Sequence, residues 1–176
     1  YANKTGLVVS LPAKAMVSEK YPFMRYNPDG LTKEKRLVEF KTASYSDRWG
    51  EEGSDEIPQE YLLQVQHGMI VTGFDVCDVT VSIGGNKPKY YLVEADTFLQ
   101  EFITEGEAKF WQMVEQNVPP PPSNNADVAR IYNRVNGQST IATDEISEML
   151  LHLQSVREVL KKYEKAKEDA EVAIKS

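Results

Sequence analysis

One cysteine in 176 residues is the first thing that this chain has little of. A lone thiol, Cys77, allows no internal disulfide, so a packed core must hold the fold. Cys77 falls inside an apparent strand, where a buried inert thiol is expected rather than a nucleophile. No apolar run approaches the length of a membrane span, and no secretory signal pattern is visible. Together these absences fit a reducing, cytoplasmic setting with no membrane contact. Positive charge is also scarce. Against 27 Asp and Glu stand 20 Lys and Arg, a formal net charge of −7, which opposes a broad basic coat for nucleic acid. What remains is an ordinary globular composition, 41% hydrophobic and 27% charged, long enough for one domain with a sizeable core.

The informative stretch is Asn27-Pro-Asp-Gly-Leu-Thr-Lys-Glu-Lys-Arg-Leu-Val-Glu-Phe-Lys-Thr42. Residues 37–42 alternate polar and apolar side chains, the signature of a strand. Residues two apart share a strand face, so Glu39 and Lys41 project together and Val38 and Phe40 project the other way, into a core. Asp29 precedes Gly30 at a turn. A hairpin between Tyr26 and Leu37 brings Asp29 back beside Glu39, so two carboxylates and one ammonium converge. Hard divalent cations are held by one or two carboxylates together with waters and phosphate oxygens. A neighbouring lysine can orient or deprotonate a water, or stabilise developing phosphoryl charge. The same residues would also suit a surface hairpin carrying a cross-strand Glu–Lys pair. Charge distribution adds to the pattern. Residues 14–48 carry eight Lys and Arg against five Asp and Glu, whereas residues 51–60 carry five acids and no base.

In its wider context this stretch resembles a known family. Asn27-Pro-Asp-Gly followed at ten residues by Glu39-Phe-Lys-Thr is similar to the Asp…Glu-x-Lys centre of the PD-(D/E)XK nuclease superfamily. Trp49-Gly-Glu-Glu-Gly-Ser-Asp-Glu-Ile-Pro58, then Tyr61-Leu-Leu-Gln-Val-Gln-His-Gly-Met69 and Val71-Thr-Gly73, resemble the YqaJ-like viral recombinases. These are relatives of phage lambda exonuclease, often labelled phage-type endonucleases. The match runs in order over about residues 5–118. The resemblance implies a restriction-endonuclease-like α/β core, a mixed sheet flanked by helices. It implies a Mg²⁺-dependent deoxyribonuclease, with Mn²⁺ able to substitute, acting as a 5′-to-3′ exonuclease on duplex DNA ends during phage or prophage recombination. Asp29, Glu39 and the Phe40 carbonyl would hold the metal, and Lys41 would position and activate the attacking water. Gln64 matches a helix glutamine that faces the site, and Tyr61 matches the tyrosine three residues before it, on the substrate side. A single-strand annealing protein and a ring-like homo-oligomer are the partners implied. In the family a Gly-Ser-Asp segment and a glutamate-bearing helix precede the position of Tyr1. Their absence here, and a tail that reads as the inside of a helix, predict a fragment lacking both ends. The alternative is a catalytically incomplete nuclease-fold module that binds DNA ends or a recombination protein.

The remaining chain reads as alternating elements. Residues 7–11 and 23–26 are predicted strands forming a meander with 37–42, and 42–58 is an acidic loop anchored by Trp49. A helix starts at Pro58 and stops at Gly73, with Leu62, Val65 and Met69 as its apolar stripe. Tyr61, Gln64 and Gly68 share a second stripe, and His67 is expected to be partly exposed. Residues 75–83 and 89–94 form a hairpin around Gly84-Gly85-Asn86. A long helix over 97–118, capped by Asp96 or Thr97, is predicted to turn Phe98, Phe102, Ala108, Phe110, Trp111 and Val114 to the core. The four prolines 119–122 break it. The predicted organisation is a nuclease core over 1–118, a proline-rich linker over 119–125 and a helical tail over 126–176. Within the tail, 127–135 reads as a short helix, and 143–175 as a long one with a heptad seam from Ala142 to Ile174 interrupted by Lys167.

Overall fold

The strand around Glu39 is β5 (Arg36–Ala43), the central strand of a five-stranded sheet. The computed structural model describes residues 1–132, 137, 139 and 141–175. Short β1 (Val9–Ser10) pairs antiparallel with β4 (Gly30–Thr32), with Val9 opposite Thr32. β4 in turn pairs antiparallel with β5, Gly30 opposite Val38. β5 then runs parallel to β6 (Val76–Ile83), with Glu39 opposite Val79 and Lys41 opposite Val81. A parallel pair needs a crossover, and helix α2 (Gln59–Thr72) supplies it. β7 (Lys89–Glu94) closes the sheet antiparallel to β6, through a turn in which Gly84 and Gly85 both take positive φ. The sheet is therefore mixed.

One expected strand is placed differently. Residues 25–26 form β3, which leaves the meander and pairs with β2 (Met16–Val17) in a separate two-stranded sheet. The hairpin partner of β5 is instead the segment just after Asp29. A β-ladder is decided by which backbone lies alongside, and no local pattern in residues 23–26 carries that information.

The core lies between α2 and one sheet face. Leu37, Cys77, Val79, Val81, Tyr91 and Val93 from the strands pack with Val65, Met69 and Val71 from the helix. These strand residues face one another in the ladder, Leu37 beside Cys77 and Cys77 beside Val93. Glu39 and Lys41 are on this same face, not opposite it. Phe40, expected in the core, is 45% exposed on the other face, where the Tyr1 ring meets it edge-on at 6.4 Å. Short helix α1 (Ala2–Thr5) follows Tyr1. Tyr1 donates a 2.8 Å hydrogen bond to Asp78, which also receives the guanidinium of Arg36 at 2.6 and 2.5 Å.

Helix α3 (Thr97–Glu115) is capped by Asp96, whose Oδ1 accepts from Leu99 N at 3.0 Å. Its core face is not the predicted one. Ile103 is buried and Leu99 packs on the core, whereas Phe98 is 80% and Phe102 69% exposed. The connection that positions the face is a buried glutamine. Gln66 of α2 donates to the Glu94 carbonyl at 2.8 Å, and its Oε1 accepts from Asp96 N at 3.1 Å and Gln100 Nε2 at 3.0 Å. Gln100 and Ile103 must then face α2, and the phenylalanines turn away.

The chain divides into two compact units, Tyr1–Pro121 and Pro122–Ser176. The second contains α4 (Asn125–Ile131), capped by Asn124, and α5 (Asp144–Lys175). The C-terminal part of the predicted 127–135 helix lies outside the described residues. Among the described residues, no helix is long and apolar enough to cross a membrane.

Candidate active site

Glu39 is a carboxylate with 1% of its surface exposed, placed there because β5 turns it toward α2. An unpaired charge at that depth would be costly, and three donors meet it. Tyr26 donates to Oε1 at 2.5 Å. Lys41, two residues along the strand, places its ammonium 2.6 Å from Oε2. Gln64, one turn into α2, donates to the same oxygen at 3.3 Å and accepts from Lys41 at 3.0 Å through its own Oε1. Lys41 thus bridges a carboxylate and an amide, and its side chain keeps only 12% exposure.

Asp29 approaches from the turn before β4. Its Oδ2 accepts from the backbone N–H of Phe40 at 2.9 Å, at an exposed position. This bond crosses from the Asp29 turn to β5 beside Glu39. Tyr61 flanks the group: the Lys41 ammonium lies 5.2 Å from its ring centroid, and Trp49 packs against it at 5.7 Å. Trp49 is 8% exposed and also touches Tyr91, so it anchors the acidic loop, as expected.

All the predicted site residues are therefore neighbours. Asp29, Glu39, Phe40 and Lys41 come together through the hairpin, and Tyr61 and Gln64 reach them from the crossover helix. His67 is instead absorbed in structure, with Nδ1 2.6 Å from Glu107 and Nε2 3.1 Å from the Arg25 carbonyl. Two contributors escape a reading of the sequence. Tyr26 appears there only as a strand residue, and Gly68 only as part of a stripe. A Cβ on Gly68 would sit 2.7 Å from the Tyr26 ring and 2.8 Å from Leu37. The stripe Tyr61, Gln64, Gly68 was the available signal, since it points one helix face at one place.

Burial first, and the Glu39 carboxylate second, push the Tyr26 hydroxyl far above its ordinary range. It is therefore a fixed donor. Cys77, beside Leu37 in the ladder, is also pushed up by burial and by Glu39, which leaves it an inert thiol.

Every candidate ligand here is an oxygen: two carboxylates and a strand carbonyl. That set fits a hard divalent cation completed by water and phosphate oxygens. Among the described residues no group of three or more His, Cys, Asp or Glu gathers, so the protein's share of such a shell is small.

Comparison with known proteins bears on this arrangement. Residues 1–75 match the model of the YqaJ-like viral recombinase domain, a span that contains all six candidate site residues. The chain is 32% identical over 118 residues to the uncharacterized protein YqaJ of Bacillus subtilis (strain 168), covering 64% of this chain and 36% of that protein. Its fold is similar to an alkaline exonuclease, LHK-Exo, from Laribacter hongkongensis. There the TM-score is 0.58 at 21% identity, over 66% of this chain and 62% of that one. A second structure of LHK-Exo, in complex with dAMP, aligns with a TM-score of 0.50 at 16% identity, over 76% of this chain and 66% of that one. The chain spans about a third of the curated relative and under two thirds of the first of these structures. The match over residues 1–75 and the shared identity with YqaJ bear out the resemblance to the YqaJ-like viral recombinases read from the sequence, on a mixed α/β fold similar to that of an alkaline exonuclease.

Proposed function

We propose that this chain carries the catalytic core of a metal-dependent DNA nuclease that hydrolyses phosphodiester bonds, as a 5′-to-3′ exonuclease on duplex ends. The observation that carries it is the buried Glu39 with Lys41 at 2.6 Å and Gln64 at 3.3 Å, and Asp29 bonded to the next residue of the strand. A carboxylate is rarely buried this deeply unless it is paired, and buried charge clusters of this kind concentrate at functional sites. Asp29, Glu39 and the Phe40 carbonyl would hold Mg²⁺, or Mn²⁺ in its place. Bound there, such an ion neutralises phosphate charge and makes a water more acidic.

The chain's own residues do the rest. Lys41, as an ammonium, orients the attacking water and lends its charge to the reacting phosphoryl group. Gln64 holds Lys41 and Glu39 in one plane of contact, so the ammonium stays aimed. Tyr61, packed by Trp49, sets its ring under the Lys41 ammonium, where it can flank the sugar-phosphate chain. The family resemblance supports the polarity, an annealing protein as partner, a homo-oligomeric assembly, and recombination of phage or prophage DNA in the bacterial cytoplasm.

A second reading has its own support. The acid set stops at two, because no third carboxylate gathers among the described residues. On that reading the chain is a nuclease-fold module that binds DNA ends or a recombination protein. Linear duplex DNA labelled at either end, incubated with the 176-residue chain and Mg²⁺ or EDTA, separates the two. Metal-dependent release of the 5′ label supports the exonuclease. Intact DNA that is nevertheless retained by the chain supports the module.

A further inference from the structure

The candidate site contains one donor that neither the motif nor the family match assigns. Tyr26 lies on β3, outside the main sheet, yet its hydroxyl reaches Oε1 of Glu39 at 2.5 Å. The other donors, Lys41 and Gln64, both use Oε2. The two oxygens of one carboxylate are thus treated differently. Oε1 is tied to a buried tyrosine, 7% exposed, and Oε2 to the Lys41 ammonium and the Gln64 amide.

The ring of Tyr26 has that place because Gly68 gives it room. A methyl group on Gly68 would lie 2.7 Å from two ring carbons, Cε1 and Cζ, the latter bearing the hydroxyl. Such an approach is closer than carbon atoms tolerate, and Leu37 at 2.8 Å closes the other direction of relief. The His67 ring, 5.8 Å away, limits a third. A glycine inside a helix costs about 1 kcal/mol relative to alanine, and here its function is clearance for one ring.

We propose that Tyr26 is a positioning residue: its hydrogen bond to Oε1 fixes the rotation of the Glu39 carboxylate that is to meet a divalent cation, with Gly68 setting the ring's depth. This rests on the metal-site reading above and extends it. Freed of Tyr26, the group can rotate and its ligand geometry is no longer set. Partners in this outer position typically change metal affinity or activity by about 10- to 100-fold.

The test uses the 176-residue chain, Mn²⁺ as probe, and calorimetry without DNA. Tyr26→Phe removes only the hydroxyl and keeps the ring in its place. It is expected to weaken Mn²⁺ binding about 10-fold or more, with little change in thermal stability. Gly68→Ala, which retains every polar group, is expected to weaken it in the same direction. In a cleavage assay kcat should fall while KM for DNA holds. Glu39→Gln is the control for the site itself. If it reduces Mn²⁺ affinity but both other variants bind like the wild type, Tyr26 has no positioning role and the metal site stands. If Glu39→Gln leaves Mn²⁺ binding intact, the site reading fails and the inference falls with it. A loss of stability in Tyr26→Phe without a loss of affinity also overturns the proposal, because it reduces the bond to ordinary packing.

Discussion

At residue scale the proposed chemistry concentrates on Glu39 and Lys41, a pair with 1% and 12% of their side-chain surface exposed. A pair at this depth is coupled strongly, because little water screens it. Removing the ammonium by Lys41→Ala leaves Tyr26 and Gln64 still bonded to Glu39, so metal ligation survives. Cleavage is expected to fall by about 10²- to 10³-fold, the scale for losing one charge-stabilising donor. Single-turnover cleavage beside Mn²⁺ calorimetry measures both. An unchanged cleavage rate would remove Lys41 from the mechanism. Tyr1 offers a test on the other sheet face. Burial, then its hydrogen bond to Asp78, push its hydroxyl up to about 12. A tyrosine with its value raised in the folded state stabilises that state below its ordinary value of about 10. That contribution is lost as pH climbs through about 12. Tyr1→Phe has no such proton. Between about pH 10 and 12 its melting temperature should therefore decline less steeply than that of the wild type. Parallel curves would show that Tyr1 is not coupled to folding.

At the scale of elements, α3 shows where periodicity misleads. Its aromatic residues suggested one buried face, and the structure buries another, through Leu99 and Ile103. The physical reason is the Gln66 clasp: an amide with 1% exposure must satisfy its donors and acceptors, and it does so with Glu94, Asp96 and Gln100. Those bonds set the helix's rotation, and apolar side chains on the far side follow. Ile103→Ala is expected to cost about 2–5 kcal/mol, the range for deleting a buried aliphatic group. Phe98→Ala, at 80% exposure, should change stability by less than about 0.5 kcal/mol. Urea denaturation followed by tryptophan fluorescence reads both. The reverse ranking would restore the phenylalanine face as the core. Helix α2, by contrast, was legible to within a residue, since Pro58 and Gly73 bound it and Gly73 takes the left-handed conformation that stops it.

For the whole molecule, every residue of the buried cluster lies between Met24 and Ile103, inside the unit that ends at Pro121. A chain of residues 1–121 is therefore expected to fold with the thermal transition of the parent unit, to within a few degrees, and to bind Mn²⁺ equally well. Circular dichroism and calorimetry on the shortened chain check this. A collapse of the transition would show that the core as drawn is incomplete. Much was available from the residues in order. The alternation over 37–42, the aspartate at its turn and the paired acid and lysine two apart pointed to the candidate site, because these are local or near-local relations. The neighbouring glutamine and tyrosine came with the family's wording. Three-dimensional packing alone decided the rest: that the acid face of β5 is also the core face, that β3 lends Tyr26 from another sheet, and that α3 rotates around Gln66. Local sequence dictates spacing along one strand or helix, but which oxygen of Glu39 meets which donor depends on segments brought together by burial. That choice exists only once the chain has closed around it.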